Sequence, residues 1–153
     1  MADVRVDGRD SVQLTNEILA FLNQYPELLA GETIVFGDAS HESGLAMYPI
    51  SGALVISETE DIMGNHESNR QYPFYIVYKN GTGSAARAIS IKEFLDSIGE
   101  WCESQDYTAF NELGIEVTEM SRQTVAAMDS IEEDGTENWN IAITLYYTKR
   151  WSE

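Results

Sequence analysis

Apolar positions recur with a helical period in two stretches of the chain. The first stretch follows Ser11, a residue type that caps helix N-termini. The second follows Ser90 and Glu93, which have the spacing of a capping box. Gly99 lies inside the second helix at a cost of about 1 kcal/mol against alanine, which indicates a close approach to the structure it packs on. The apolar stripes are Leu14, Ile18, Phe21, Leu22 and Tyr25 in the first helix, and Ile91, Phe94, Leu95, Ile98, Trp101 and Cys102 in the second.

Strand patterns occupy much of the chain between the two helices. Short β-branched and aromatic runs at 33–36 and 53–58 predict two strands, and residues 72–79 predict a stronger one. This third strand is apolar on both faces, which is typical of a central or doubly covered strand. Residues 37–52 predict a loop or an irregular edge, and the polar stretch 59–71 predicts a connector.

The C-terminal part of the chain shows the alternation of a half-buried strand. Apolar residues recur at every second position from Leu113 to Val117, and their phase then moves to Met120. One extra residue in a β-bulge at Thr118 or Glu119 would produce this shift.

A turn at 132–135 and a long alternation from Trp139 to Tyr147 complete a C-terminal hairpin. The order is helix, strands, helix, hairpin, with few parallel crossovers. It predicts an α+β fold, in which two main helices pack on an antiparallel or mixed β-sheet with a long C-terminal hairpin. Because 153 residues suffice for one core and no domain-sized repeat occurs, we expect a single domain over residues 1–153.

The charge of the chain restricts its partners. Nine Lys and Arg stand against 26 Asp and Glu, a net charge of −17, which excludes tight nucleic-acid binding through the overall field. The acids are spread along the chain and form no acidic tail. Two interpretations remain open: a solvated surface that keeps the protein soluble, or a surface shaped to repel or imitate DNA.

Neither a targeting segment nor a membrane span is expected. The first residues carry Asp3, Asp7 and Asp10 without an apolar run, and the longest apolar stretches, such as 74–78, have the length of strands. Since the single cysteine, Cys102, cannot close an intramolecular disulfide, we expect synthesis in a reducing cytosol.

No catalytic or metal-binding motif stands out. His41 and His66 each begin the tripeptide His-Glu-Ser, which matches the spacing of neither a zinc site nor an activated serine, so both are interpreted as exposed loop residues. Residues 80–84, Asn-Gly-Thr-Gly-Ser, lack the lysine of a phosphate-binding loop and are interpreted as a flexible connector. Cys102, on the apolar stripe of the second helix, is interpreted as a buried structural thiol. We therefore expect no enzyme and no cofactor.

Aromatic residues outside the main apolar faces remain as candidates for a site. Tyr75, Tyr146 and Trp151 fall off those faces or lie at the chain end, and such aromatics are enriched in protein interfaces. With Tyr72 they make up the predicted assembly interface. The alternative is that a second helix covers this face.

Four segments, taken together, are similar to a known family. They are 25–29 (Tyr-Pro-Glu-Leu-Leu), the strand 72–78 (Tyr-Pro-Phe-Tyr-Ile-Val-Tyr), the helix 94–105 with its Phe…Glu-Trp-x-Glu-x-Gln pattern, and the hairpin through 139–147. In this order they resemble the tail terminator proteins of tailed bacteriophages, also labelled minor capsid or tail completion proteins. The resemblance covers nearly the whole chain as an order of elements, and its most specific local piece is the helix.

The resemblance implies a virion protein of the tail or neck, assembled in the host cytoplasm. Its copies would form a homohexameric ring on the last ring of the tail tube protein, stop tube growth and offer a docking surface to the head-tail connector protein. A closed ring needs two different patches on each subunit, and the polar stretch 59–71 is expected to be one of them, ordered on assembly.

The resemblance also gives the acidic charge a possible role. Six copies would bring roughly −100 charges to a channel that the genome DNA must cross without specific binding. No membrane takes part. A head-tail connector of the same neck, an acidic DNA-mimic inhibitor and a small enzyme using a His-Glu pair are the alternatives.

Overall fold

The computed structural model of the protein describes residues 6–29, 32–37, 44–50, 54–81 and 84–152, with side chains from residue 13 onward. The elements in chain order are α1 (Val6–Leu22), β1 (Val35–Phe36), β2 (Leu45–Pro49), β3 (Val55–Glu60), β4 (Asn65–Asn80), α2 (Ala85–Glu103), a 3-10 helix (Thr108–Leu113), β5 (Ile115–Arg122), β6 (Ala127–Ile131) and β7 (Glu137–Ser152). The seven strands form one mixed sheet on which the two main helices pack, so the predicted α+β class is confirmed.

Two long antiparallel strands, β4 and β7, form the centre of the sheet. They pair over their whole length, from Asn65 opposite Ser152 to Asn80 opposite Glu137. On one side β2 and β3 follow one another along β4, and on the other side β5 and β6 follow one another along β7. Among the described strands, β1 alone runs parallel to its neighbour, β2. The β4–β7 ladder is therefore the frame to which the other strands are added.

Both helices cover the same face of this sheet. Alternate residues of the central strands, among them Phe74 and Ile141, are fully buried there against α1 and α2. The apolar stripes predicted for the two helices are confirmed as core, with Phe94 and Trp101 half-buried at their edges. Tyr25 is part of this core but lies after α1, which ends at Leu22, so its placement on the first helix is wrong. Phe21 of α1 packs on Trp101 of α2 with ring centroids 4.9 Å apart, which joins the two helices directly.

The first helix begins earlier than its apolar pattern predicts. It starts at Val6, so Ser11 lies in its second turn, and the prediction of Ser11 as the N-cap is wrong. Residues 7–10, Asp-Gly-Arg-Asp, contribute no apolar position to the stripe, and the periodicity therefore does not reveal this turn.

The second helix also begins before its predicted cap. It starts at Ala85, where the Ser84 side chain accepts the N–H of Arg87, while the Ser90 hydroxyl donates to the carbonyl of Ala86 inside the helix. The predicted capping box is therefore wrong, because the helix-favouring residues before it already form the first turn. Neither helix in the described part of the chain is long and apolar enough to cross a membrane.

Two segments interpreted as irregular form strands. β2 lies within 37–52, and its first three residues are buried between β1 and β4. The stretch 59–71, predicted as a connector, consists of the end of β3, a turn at 61–64 and the first half of β4. Backbone hydrogen bonds to both neighbouring strands hold this half of β4 in the sheet, so its polar side chains do not prevent strand formation.

The C-terminal hairpin is confirmed, with one interruption. β5 and β6 both pair with β7, and residues 123–126 separate them. The register shifts between Val117 and Glu119, where the phase change of the apolar residues predicts the bulge. The turn at 132–135 is confirmed as well, and Gly135 adopts a φ of 90° there.

Two carboxylates of α2 fix the helix to one edge of the sheet. Asp96 accepts the N–H of Ala126 at 2.8 Å, and Glu103, two turns later, accepts the N–H of Arg122 at 2.9 Å. Burial by itself would raise the pKa of both carboxyls, but hydrogen bonds from Lys92 and Ala126 to Asp96, and from Arg122 to Glu103, hold each pKa below its usual value. These bonds tie α2 to the end of β5 and to the link with β6.

Replacing Gly99 tests the close approach of α2 to the sheet. A Cβ at this position would lie 2.7 Å from Arg122 Cδ and 2.9 Å from Ile141 Cδ1, which confirms the expectation from the sequence. We expect Gly99→Val to lower the free energy of unfolding by about 1–3 kcal/mol, because the core must shift to admit the side chain. Glu100→Val at the exposed next position is the control in urea unfolding. Equal midpoints for the two variants would contradict the close packing.

The carboxylate contacts of α2 predict a pH dependence of stability. A lowered pKa in the fold means that Asp96 and Glu103 stabilise it above the ordinary carboxyl pKa of about 4, and that this stabilisation is lost as the pH falls through the lowered values. The double variant Asp96→Asn/Glu103→Gln should lose about 1 kcal/mol at pH 7, because both groups are partly screened by solvent, and much less at pH 3.

The matched control for this pair is Glu93→Gln/Glu100→Gln on the exposed side of the same helix, which removes equal charge. Urea unfolding at pH 7 and pH 3 measures both variants. A loss that is the same at the two pH values would show that the carboxylates do not act through their charge.

Candidate assembly surfaces

One end of the sheet carries a polar arm. We define the arm as residues 54–70, which comprise β3, the turn after it and the first part of β4, paired with 147–152 of β7. None of the described residues 54–70 belongs to the hydrophobic core, and β3 is exposed along its whole length. The arm is therefore held by backbone pairing and polar side-chain contacts.

Aromatic and ionic contacts order the helix side of the arm. The His66 ring stacks on Trp151 with centroids 5.0 Å apart and planes 2° from parallel, and the Arg70 guanidinium lies 5.9 Å from the same indole. Glu60 lies 3.7 Å from His66 Nε2, and Glu58 lies 3.9 Å from Arg70. The interpretation of His66 as an exposed loop residue is wrong, since it lies on β4 with a side chain 15% exposed.

Cross-strand polar pairs hold the opposite side of the arm. Arg150 of β7 donates to Glu67 of β4 and to Glu116 of β5, each at 2.9 Å, and so links three strands. The Thr148 hydroxyl donates to Asn69 at 2.8 Å. Pairs of this kind across neighbouring strands stabilise a sheet without apolar burial.

The tip of the arm is an ordered turn that exposes two apolar side chains. Asp61 Oδ1 accepts the N–H of Met63 at 2.9 Å and that of Asn65 at 3.0 Å, and Gly64 adopts a φ of 83°. The bond from the Asn65 amide is the main cause of the lowered pKa of Asp61. Ile62 is fully exposed and Met63 is 80% exposed. The turn thus presents both side chains in a fixed conformation.

The sequence contains a turn pattern at this tip, although the polar composition of 59–71 favours a connector. Aspartate three residues before a glycine, followed by asparagine, is typical of a tight turn between two strands. Residues 61–65, Asp-Ile-Met-Gly-Asn, have this pattern. The two apolar residues inside a turn then mark a candidate contact, because turns normally expose polar side chains.

The face of the sheet opposite the helices carries a group of tyrosines. Tyr48 and Tyr75 lie on neighbouring strands with ring centroids 5.5 Å apart, and Tyr146 points to the same side of β7. Val77 and Ala142, on the same face, are buried. Both helices of the described part of the chain pack on the other face, so neither helix covers these tyrosines.

The four aromatic residues predicted as an interface do not share one surface. Tyr75 and Tyr146 lie on the helix-free face. Tyr72 faces α1, where its hydroxyl forms a 2.7 Å hydrogen bond with that of Thr15, and burial raises the pKa of Tyr72. Trp151 lies on the helix side of the arm. An assembly that used all four residues would have to contact both faces of the sheet.

Most cations of the described chain are paired with its own acids. Ion pairs join Arg70 to Glu58, Lys79 to Glu132, Lys92 to Asp96, Arg122 to Glu103, and Arg150 to both Glu67 and Glu116. Because acids greatly outnumber bases, this pairing leaves many carboxylates without a cation, among them Glu93 and Glu100 on the exposed side of α2. The surface therefore carries unneutralised negative charge, which repels DNA.

Two open clefts accompany these surfaces. The larger, of about 470 Å³, lies at the end of the arm between Asp61 and Trp151. The second, of about 440 Å³, lies between α2 and the segment after α1, where Glu93 and Glu100 flank Trp101. Both are open to solvent and bordered by charged side chains.

The groups considered for catalysis stay apart in the described ranges. No three His, Cys, Asp or Glu side chains described there lie close enough to hold a metal ion. His41 lies outside the described residues, as do residues 82 and 83 of the loop 80–84. Cys102 is buried and burial raises the pKa of its thiol, so the prediction of a buried structural thiol is confirmed.

The turn at the arm tip can be tested by removing its acceptor. Asp61→Ala should speed amide exchange at Met63 and Asn65, because each of these amides loses its hydrogen-bond acceptor, and should change global stability little. In the unaltered protein, the lowered pKa of Asp61 should keep these amides protected until the pH falls below 3.8, the ordinary aspartate value.

The matched control is Asp134→Ala in the β6–β7 turn, where the same kind of side chain accepts the N–H of Thr136 at 2.9 Å. It should speed exchange at its own turn and leave the arm tip unchanged. Hydrogen exchange read by NMR separates the two turns. Unaltered exchange at the tip of Asp61→Ala would show that Asp61 does not order it.

Comparison with known proteins adds no family to this description. Neither a scan against protein-family models nor a search of curated proteins returns a match to this chain. The functional proposal therefore rests on the order of elements and on the surfaces described above.

Proposed function

We propose that this protein is a structural subunit of a bacteriophage virion. In this proposal it forms a homohexameric ring on the end of the tail tube, ends tail growth and joins the tail to the head-tail connector. Two arguments support it: the order of elements, which resembles the tail terminator family, and the arm. Of these, the arm is the structural observation that carries the proposal.

The arm has the properties of an assembly element. It exposes apolar side chains at both of its ends, with Leu54, Val55 and Ile56 at the start of β3 and with Ile62 and Met63 at the tip. In the described part of the chain β3 pairs only with β4, so its second edge is open. Exposed apolar residues and unpaired strand edges are costly in an isolated protein, and they are features that protein contacts cover.

A ring also requires a second, different surface on each subunit. Closed rings form through heterologous contacts, in which one patch of a subunit meets another patch of its neighbour. Besides the arm, the chain offers the helix-free face with Tyr75 and Tyr146 and the open clefts around the helices. The tail tube and the connector would each contact one rim of such a ring. The chain offers several separate surfaces for these contacts, which is consistent with the proposal.

The charge distribution supports a channel that DNA crosses without binding. Pairing of cations with neighbouring acids leaves few basic groups to hold phosphates, while the net charge of −17 opposes DNA. On the arm, the same pairing counts against a DNA mimic, which needs free carboxylates in phosphate-like rows. Glu58, Glu67 and Glu116 are paired there with arginines of the protein itself.

Negative-stain microscopy and native mass measurement test this proposal. We expect rings of six subunits, or caps on the ends of tubes when the purified protein is mixed with a tail-tube protein. A monomer that binds neither tube nor connector, and competes with DNA for a basic protein, would replace the proposal with the DNA mimic. Binding to the head connector without caps on tubes would identify a connector protein. A neutral or basic channel surface would remove the proposed role of the charge.

A further inference from the structure

The methionine side chains of the described chain differ widely in their access to solvent. Met47 and Met120 belong to the hydrophobic core, with exposed fractions of 0% and 2%, and Met128 of β6 is 43% exposed. Met63, in the turn at the arm tip, is 80% exposed. An oxidant dissolved in water therefore reaches the thioether of Met63 more readily than that of any other described methionine.

The structure of the tip holds the Met63 side chain in solvent. The Met63 N–H donates to Asp61 Oδ1, and the Asn65 N–H donates to the same oxygen, so the backbone that carries the side chain is fixed. The neighbouring Ile62 is fully exposed, so the two apolar side chains of the turn do not cover one another. The described residues 54–70 contribute nothing to the hydrophobic core, and the thioether has no part of that core beside it in its own turn.

Hydroperoxides are the class of oxidant that suits this site. Hydrogen peroxide is uncharged, so the net charge of −17, which repels anions, does not keep it from the tip. The sulfur lone pair of Met63 bonds to one peroxide oxygen as the O–O bond breaks. The proton of that oxygen passes to the leaving oxygen, which departs as water. The sulfur is oxidised by two electrons to the sulfoxide, and the peroxide is reduced.

This reaction changes the chemistry of the tip and leaves the fold intact. A sulfoxide is polar and accepts hydrogen bonds, and in an exposed turn water supplies the donors. In a contact that covers the tip, the sulfoxide has to lose that water, and removing a polar group from water without a new partner is costly. Oxidation thus turns an apolar contact residue into one that opposes contact.

We propose that Met63 is a reversible modification site of this protein. Hydroperoxides oxidise it to the sulfoxide ahead of the other described methionines, and the sulfoxide weakens the contacts of the arm tip. Methionine sulfoxide reductases reverse the change, which returns the tip to its apolar form. The effect on contacts rests on the proposed function, in which the arm is an assembly element, whereas the order of oxidation depends on exposure alone.

Peptide mass spectrometry after timed exposure to hydrogen peroxide tests the modification. In the folded protein, sulfoxide should form at Met63 about twofold faster than at Met128, in proportion to their exposed fractions. It should form at least about tenfold faster than at Met47 and Met120, which react only when the core opens. Met1, outside the described residues, is followed as a separate peptide. Sulfoxide that forms at Met128 or in the core as fast as at Met63 would overturn the site.

Unfolding provides the control for this order. In concentrated urea all four described methionines are exposed to the same solvent, so their rates of oxidation should become similar. A preference for Met63 that persists in urea would show that its local sequence, and not its position in the fold, determines the reaction, and would overturn the structural explanation.

Three variants test what the sulfoxide does to assembly, measured by native mass over a range of protein concentrations. Met63→Leu keeps an apolar side chain without sulfur, so its assembly should resist peroxide. Met63→Gln carries a polar side chain of similar length and should assemble about tenfold more weakly without any peroxide. Met128→Leu is the matched control, and its assembly should remain sensitive to peroxide. Positions 63 and 128 are both exposed, so the three variants should fold.

Reduction completes the test. A pair of methionine sulfoxide reductases, one for each sulfoxide epimer, should restore the assembly of the oxidised, unaltered protein. Assembly that survives complete oxidation of Met63, or that peroxide abolishes equally in Met63→Leu, would overturn the effect of the sulfoxide on contacts.

The outcomes separate this inference from the proposed function. Six-membered rings that persist after oxidation of Met63 would leave the ring subunit in place and remove the effect of the modification. A protein that stays monomeric before and after oxidation, with sulfoxide formed first at Met63, would remove the ring and the effect on contacts and retain the modification site.

Discussion

Backbone pairing between β4 and β7 is the interaction on which the rest of the structure depends. Each strand has 16 residues, and the ladder runs without a break from the hydrophobic core to the end of the arm. Over one half it carries the apolar residues that pack under the helices. Over the other half the same backbone bonds continue although residues 65–70 of β4 contribute nothing to the hydrophobic core, because paired amides and carbonyls do not require apolar side chains beside them. One ladder therefore supplies both the core and the arm.

The core and the arm serve different purposes, stability in the first case and the proposed assembly in the second. Packing of α1 and α2 on the sheet stabilises the domain, and Asp96 and Glu103 secure the helix at the β5 edge. The arm adds polar contacts such as that of Arg150 but leaves Ile62 and Met63 in solvent. The surface combines high negative charge with a few exposed apolar side chains. It favours local, specific contacts, since repulsion between acidic surfaces opposes all others.

Periodic patterns predicted the elements that have an apolar face. The stripes of both helices, the central strand at 72–79 and the bulge before Met120 were correct, because burial of one face imposes a period on the sequence. The arm was missed because a strand without a buried face has no such period. The starts of α1 and α2 were missed because their first turns contribute little to the core. The pattern did not predict a role for Ile62 and Met63 at the tip either, because they lie in the same stretch without a buried face.

The sequence by itself determined the α+β class, the core residues of both helices, the acidic surface and the bulge, since each follows from local spacing or composition. Only the tertiary structure decided that Tyr72 faces a helix while Tyr75 faces away from it, and that Trp151 stacks on His66. It also placed the exposed side chains of Ile62 and Met63 on an ordered turn at the end of the arm. These features depend on which distant segments pair and in which register, and local periodicity carries no information about that pairing.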